Sequence, residues 1–344
     1  MADNDPGDLL AHYGGPIKQY LDDPTVTEIC VERWNQVRVE RGGALQLTDA
    51  TWRDEKELVQ YIKLVANGLG QPVDEEDQPI LDARLKSGAR INAVLTPCAV
   101  FGATISIRPF PKTIFTLEDL LRFGSVTPNM VEIFGLAIQA RLNILISGGT
   151  GSGKTALIRA ICQLIDPLER VLTVEDTAEN LLPGHRHVEA FEAPKRRARV
   201  GAMEVTMGQL IVTTLRRRPD RLVIGEIRTP EAAGAFIDAI NTGHDGTITT
   251  IHANSAMDAM PRVETRYAQL LSNFSMEVVR ELVRSNLNLI VHAVREPNDD
   301  GLPARRVKEI LWIDDGKPRY LIRHIRGQGF VSDDTVLADF KSHL

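Results

Sequence analysis

Gly148–Thr155 reads G-G-T-G-S-G-K-T, which fits G-x-x-x-x-G-K-[ST]. No other stretch restricts the fold so narrowly, because the motif needs a buried strand before it and a helix after it. Both flanks comply: Asn143–Ser147 (N-I-L-I-S) is an apolar run, and Ala156–Leu164 has helical character. Gly148, Gly149, Gly151 and Gly153, with Thr150 and Ser152 among them, let backbone N–H groups turn inward around phosphate oxygens, and the helix N-terminus adds its positive end. In such a loop Lys154 reaches the β- and γ-phosphates and the Thr155 hydroxyl holds Mg²⁺. ATP with Mg²⁺ is the expected ligand.

The rest of the chain is organised around that loop. Val171–Val174, Leu222–Ile224 and Thr247–Ile251 are continuous apolar runs separated by helical stretches such as Glu231–Asn241. Strands that are apolar throughout imply a sheet covered on both faces, hence an α/β layer fold. Upstream the texture differs. Val26–Glu32 and Val37–Glu40 read as short strands, and Arg41-Gly42-Gly43 supplies a turn before Ala44–Leu47. Leu58, Tyr61, Ile62 and Val65 have helical spacing within Asp54–Val65, and further strands are expected around Arg84, Ala89–Leu95 and Ala103–Ile107. This predicts a smaller α+β domain over 1–108. Pro109-Phe110-Pro111 favours extended geometry and marks a linker over 109–118. Thr116 with Glu118 and Asp119 suits a helix start at its end, and 119–344 forms the second domain.

Composition narrows the function. A net charge of -6, from 46 acidic and 40 basic residues, speaks against a protein that coats nucleic acid. The start M-A-D-N-D-P-G-D has neither the basic residues nor the apolar stretch of a secretory signal. No run of about 18 apolar residues occurs, and the longest candidate, Met130–Ser147, is interrupted by Glu132 and Arg141. Cys30, Cys98 and Cys162 are odd in number and widely spaced, which supports reduced thiols and a cytosolic setting. The basic run Lys195-Arg196-Arg197 with Arg199 reads as a solvated loop, and Met276–Leu287 as an amphipathic helix facing the core.

A phosphate loop implies a nucleotide. Hydrolysis also needs an acid at a nearby strand end to orient water. Val171–Asn180 (V-L-T-V-E-D-T-A-E-N) ends a strand in Glu175-Asp176, and Arg218–Arg228 (R-P-D-R-L-V-I-G-E-I-R) ends one in Gly225-Glu226. The common arrangement ends the latter in Asp-Glu. The glycine leaves Glu226 without an adjacent acid and makes it the better candidate for activating water. Glu175 and Asp176 suit the surroundings of Mg²⁺, directly or through water, with a helix cap as the alternative. All three carboxylates remain candidates for the base.

The phosphate loop, V-E-D-T-A-E, L-R-R-R-P-D-R-L-V-I-G-E-I-R and T-G-H-D-G-T-I-T-T-I-H-A-N-S occur in that order. Together they resemble the Walker A, Asp box, Walker B and His box of the secretion traffic ATPases of type II and type IV systems. V-T-E-I-C-V-E, R-L-K-S-G-A-R-I-N-A-V-L-T-P, T-I-S-I-R-P-F-P and F-T-L-E-D-L-L-R-F-G-S-V-T resemble the conjugation and type IV secretion branch, so the likeness runs from about residue 25 to 295. It implies a RecA-like P-loop ATPase domain behind the smaller N-terminal domain, in a homo-oligomeric, hexameric ring. That ring would sit at the cytoplasmic face of the inner membrane, touching it at most peripherally, among the other components of a secretion machine. Arginines from the N-terminal domain or a neighbouring subunit would complete the site. Arg90 and Arg108, then Arg84, match best, with Arg216 and Arg228 from the ATPase domain. The sequence departs from the family at Trp34-Asn35, Asn180 and Arg217, none of which removes a charge the chemistry needs.

His244 and His252 lie at the two ends of a strand. With no cysteine near and Asp245 the only adjacent acid, a zinc site is not expected. A histidine base would duplicate Glu226. The resemblance implies that His252 senses the γ-phosphate and that His244 organises the loop and subunit boundary. Pilus-retraction, tight-adherence and type II secretion ATPases are the nearest alternatives, although the type II and pilus assembly engines often carry a tetracysteine module that is missing here. A nucleotide-gated scaffold that does not hydrolyse is the alternative from another class. A DNA translocase fits poorly with the acidic balance.

Overall fold

A computed structural model describes residues 15–85, 87–110, 114–178, 182, 184–193, 205–271, 274–297, 301, 303–325 and 327–344. The described chain separates into two compact units, the first ending at Phe110 and the second beginning at Ile114.

In the first unit, α1 (Lys18–Asp22) precedes the strands β1 (Val26–Arg33), β2 (Gln36–Arg41) and β3 (Ala44–Leu47), and α2 (Glu55–Gly68) follows them. Asp54 caps α2 by accepting from Glu57 N, so the predicted helix begins one residue later and runs on to Gly68. Then come β4 (Ile80–Arg84), β5 (Arg90–Val94) and β6 (Thr104–Arg108). The six strands form one antiparallel sheet in the order β3-β2-β1-β6-β5-β4. Alternate residues such as Ile29, Val31, Ile91, Ala93, Ile105 and Ile107 are buried with Leu58 and Ile62 of α2. The period of two in the sequence is the direct cause of this one-sided packing.

The second unit opens with α3 (Leu117–Arg122), held by a capping box between Thr116 and Asp119. It continues with α4 (Pro128–Gln139), β7 (Ile144–Gly148), α5 (Lys154–Cys162), β8 (Arg170–Glu175) and β9 (His187–Glu192). Next are α6 (Met207–Leu215), β10 (Arg221–Ile224), α7 (Pro230–Asn241), β11 (Ile248–Ile251), α8 (Ala256–Ala268) and α9 (Met276–Arg284). A long hairpin of β12 (Leu289–Pro297) and β13 (Pro303–Asp314) leads to β14 (Lys317–Ile325), β15 (Gly329–Ser332) and α10 (Asp334–His343). The nine-stranded order is β15-β14-β13-β12-β7-β11-β10-β8-β9, parallel from β12 to β9 and antiparallel beyond β12.

Strand β7 sits inside this sheet, and its residues face both ways. Ile144 and Ile146 pack with α4 and α5, while Leu145 packs with α6, α7 and α8. Helices therefore cover both faces, as the apolar runs predicted. The chain leaves β7 toward β8 on one side and later returns to β12 on the other. The C-terminal end of β7 is thus a topological switch point, where open α/β sheets gather ligands. Among the described residues no helix is long and apolar enough to cross a membrane. The basic run at 195–199, Asn180 and the polar start lie outside the described residues.

Candidate active site

The phosphate loop begins where β7 meets β12. Gly148 pairs with Ala293, and a Cβ at Gly148 would collide with the Ala293 carbonyl oxygen and lie 2.6 Å from Ser152 Oγ. Only a glycine fits between those backbones. At the other end Gly153 takes φ +94°, a left-handed turn that aims the start of α5 back at the loop. Lys154 is the first residue of α5 and is buried. Its Nζ donates to the carbonyls of Gly148 (2.9 Å) and Gly149 (3.1 Å). Burial, with Arg228 nearby, pushes the Lys154 pKa below its usual value, and Glu226 opposes the shift. Thr155 follows in the same turn.

Glu175 ends β8 in a buried position, and Gly225 N donates to Val174 O at 2.8 Å just beside it. A side chain at 225 would meet Glu175 at 3.0 Å from Cγ. Any side chain in place of this glycine would need Glu175 to give way by a few tenths of an ångström. Two bonds bracket the next residue: Thr250 Oγ1 donates to Gly225 O (2.6 Å), and Ile227 N donates to Thr250 O (2.8 Å). They fix Glu226 at the end of β11, beside His252.

From Lys154 the polar groups then follow one another without a break. Lys154 Nζ lies 3.4 Å from His252 Nδ1, and His252 Nε2 lies 3.0 Å from Glu226 Oε1. Glu226 Oε2 accepts from Arg228 Nη2 (3.1 Å), and Arg228 Nη1 is 3.2 Å from Asp176 Oδ2. Burial and the cations Lys154 and Arg228 outweigh Glu226 and hold the His252 pKa below the ordinary histidine value. Gly148, whose backbone bonds the ring, acts with Glu226 against that shift. Glu226 Oε1 is buried with no hydrogen-bond donor directed at it despite its 3.0 Å separation from His252 Nε2.

The structure thus brings Gly148–Thr155, Glu175, Asp176, Glu226, Arg228 and His252 to one end of the sheet. It does not bring Arg216 there. Arg216 caps the C-terminus of α6, just ahead of β10, on the opposite edge of the sheet from Glu226. Its neighbour Arg217 donates to Glu189 (2.8 Å) and stacks over Phe191, which supplies a partner for this departure from the family pattern. His244 is also at the far end, where its carbonyl accepts from Thr247 Oγ1 (2.7 Å) as the loop turns into β11. In the first unit Arg84 pairs with Arg90 and Arg90 with Arg108. Directly opposed residues share a sheet face, so the three arginines stand in a row on one face of the first unit's sheet.

Sequence reasoning missed several groups. His292, buried on β12, meets Ser147 Oγ at 2.9 Å directly behind the loop. Glu309 on β13 pairs with His292 and accepts from Ala256 N (2.8 Å) at the start of α8. Arg305 on β13 donates from Nε to Gly151 O at 2.8 Å. A lone histidine in the apolar run L-I-V-H-A-V was the one available signal. The donors suited to a metal are the Thr155 hydroxyl and the Asp176 carboxylate. Both are hard oxygens of the kind Mg²⁺ accepts alongside water and phosphate.

Comparison with known proteins gives the family. A family model described as type II/IV secretion system protein matches residues 11–299. A conjugal transfer protein TrbB of Rhizobium radiobacter is 34% identical over 298 residues, 86% of this chain and 85% of its own. The type IV secretion system protein VirB11 of Brucella suis is 31% identical over 332 residues, covering 89% and 90%. A putative conjugal transfer protein of Mycobacterium tuberculosis is 32% identical over 303 residues, covering 86% and 83%. Among solved structures, the Legionella pneumophila ATPase DotB superposes with a TM-score of 0.61 at 20% identity, over 92% of this chain and 83% of that one. The pilus retraction motor PilT with bound ADP gives 0.60 at 20%, over 89% and 83%. These two share the fold: a smaller N-terminal domain ahead of a P-loop ATPase domain.

Proposed function

Because the chain belongs to the type II/IV secretion system protein family, as an ATPase of its conjugation and type IV secretion branch, we propose the following working of its site. Mg²⁺-ATP binds at the loop Gly148–Thr155, with Lys154 on the β- and γ-phosphates and Thr155 and Asp176 toward the metal. Mg²⁺ supplies charge neutralisation of the phosphates. Glu226 orients the attacking water, Glu175 supports the same strand end, and His252 reads the γ-phosphate through its place between Lys154 and Glu226. The observation that carries this reading is the run of close approaches, 3.0 to 3.4 Å each, from Lys154 through His252, Glu226 and Arg228 to Asp176.

Arg228 serves the site of its own chain. Arg216, on the opposite sheet edge, serves the site of a neighbouring copy in a hexameric ring. Arg90 and Arg108, with Arg84 beside them, meet the negative charge of the transition state, where an added arginine is worth roughly 10³–10⁵ in rate. The ring works at the cytoplasmic face of the inner membrane, among the components of a secretion or conjugation machine, and moves one domain against the other.

The test is ATP turnover against protein concentration, with Glu226→Gln and Arg108→Ala alongside. Specific activity is expected to rise with concentration and to fall roughly 10²–10⁴-fold in the Glu226 variant, the range for a lost acid–base group. Tight binding without turnover, under conditions where rings form, would replace the motor by a nucleotide-gated scaffold.

A further inference from the structure

The β12–β13 hairpin reaches the phosphate loop from the side away from Glu226. Arg295 on β12 and Arg305 on β13 are paired in register. Arg305 Nε donates to Gly151 O, the carbonyl at the crest of the loop, at 2.8 Å. Its Cδ lies 3.4 Å from the point where a Cβ on Gly153 would sit, so the stem runs along the loop. Arg295 Nη1 lies 3.6 Å from the equivalent point on Gly151. Both side chains are exposed.

The same residue is tied in a second direction. Ser125 Oγ donates to the Arg305 carbonyl (2.7 Å), and Val307 N donates to the Ser125 carbonyl (2.8 Å). Ser125 lies between α3 and α4, in the stretch that begins where the first unit ends. Through its side chain Arg305 holds the loop, and through its backbone it holds that stretch.

We propose that Arg305, seconded by Arg295, is a positioning residue of the nucleotide site: it holds the crest of the phosphate loop at the Gly151 carbonyl and couples the loop to the segment at Ser125. A loop held in its phosphate-receiving shape binds ATP without first paying to order itself. Loss of the Arg305 side chain therefore weakens binding while leaving the machinery that touches the reacting atoms in place. The effect belongs to KM and Kd rather than kcat.

The proposal rests on the loop being the nucleotide site, and the experiment separates the two. Equilibrium binding of a fluorescent ATP analogue with Mg²⁺, and steady-state turnover, are measured on the full chain for wild type, Lys154→Ala, Arg305→Ala, Arg305→Lys, Ser125→Ala and the Ser125/Arg305 double variant. Binding by wild type and none by Lys154→Ala establishes the site; failure there would sink the site reading itself. Given that, Arg305→Ala is expected to raise Kd and KM about tenfold, the worth of one charge-assisted hydrogen bond at an exposed position, with kcat within about threefold and thermal unfolding without nucleotide lowered by no more than about 2–4 °C. Arg305→Lys keeps the charge but not the Nε–H, and recovers less than half of the loss. Ser125→Ala raises Kd about two- to threefold, and the double variant is no weaker than Arg305→Ala alone. A wild-type Kd in Arg305→Ala, full recovery by lysine, or additive losses in the double variant would each overturn the proposal.

Discussion

Replacing Gly225 separates two accounts of this site. If the glycine is merely a missing acid, Gly225→Asp improves the enzyme. If it is a packing requirement, both Gly225→Ala and Gly225→Asp harm it. A Cβ at 225 would stand 3.0 Å from Glu175 Cγ and 3.3 Å from its Cα and Cβ, against about 3.5–4.0 Å for an ordinary carbon contact. The overlap is a few tenths of an ångström, but Glu175 has little room to yield. It is only 4% exposed, and β8 is held to β10 by four consecutive parallel pairs from Arg221↔Val171 to Ile224↔Val174. Overpacking of this kind costs about 1–3 kcal/mol. Alanine belongs at the lower end of that range. Aspartate belongs at or above the upper end, because it sets a second carboxylate beside a buried one. For a unit of this size each kcal/mol lowers the melting temperature by about 2–4 °C, so aspartate should lower it by roughly 6–12 °C. Thermal denaturation followed by circular dichroism, with ATP turnover on the same samples, provides the measure. A Gly225→Asp protein that unfolds at the wild-type midpoint and turns over faster would refute the reasoning.

Two further outcomes follow from the same strand ends. Gly148→Ala puts a methyl group into the Ala293 carbonyl. It should cost about 3 kcal/mol and abolish nucleotide binding, read by denaturation and by titration with an ATP analogue. His292 is 2% exposed, and burial holds its pKa below the ordinary value despite Glu309 and Glu296, with Lys308 acting in the same sense as burial. The unfolded histidine protonates first, near pH 6.5, so stability is full above that pH and falls as pH drops through the window down to the lower folded value. Urea midpoints at pH 7.5 and 5.5 should differ in wild type, and the difference should shrink in His292→Gln; an unchanged slope would remove His292 as its source.

The parts of the fold that were legible in the sequence are those where local and tertiary preferences agree. The loop between an apolar run and a helix could be read because glycines, lysine and threonine have fixed tasks there. Thr116 and Asp119 announced α3 because a capping box satisfies two backbone donors at once. Elsewhere the rules were overridden. Pro261 should end a helix, yet α8 runs through it from Ala256 to Ala268, since Ala259, Met260, Val263 and Tyr267 are buried against the sheet. Strand β9 alternates too weakly to stand out, and its Glu189 is held by Arg170 and Arg217 from distant segments. The strand β12 and its pairing with β13 were not read from the sequence. The hairpin's arginines look like ordinary solvated charges until the fold sets one of them against Gly151.

Under the roles proposed, the histidine that ends β11 follows from the company it keeps. Lys154 must hold its place before ATP arrives and let go when phosphate offers more. A carboxylate at 252 would bind it in a competing ion pair; an apolar residue would leave a buried ammonium with only two loop carbonyls. A neutral imidazole can accept from Lys154 at Nδ1 while its Nε2 faces Glu226 across the ring. Burial first, and then the cations Lys154 and Arg228, hold its pKa below the ordinary value, and in the proposed site those two cations are the ones a triphosphate would engage. When phosphate draws those cations away, two of the influences that keep the ring neutral weaken while Glu226, which favours protonation, remains 3.0 Å away. The ring therefore registers the phosphate charge as a change in its own affinity for a proton, next to the carboxylate proposed to orient water. His244 meets no such groups at the other end of the strand, and its contacts are those of a turn.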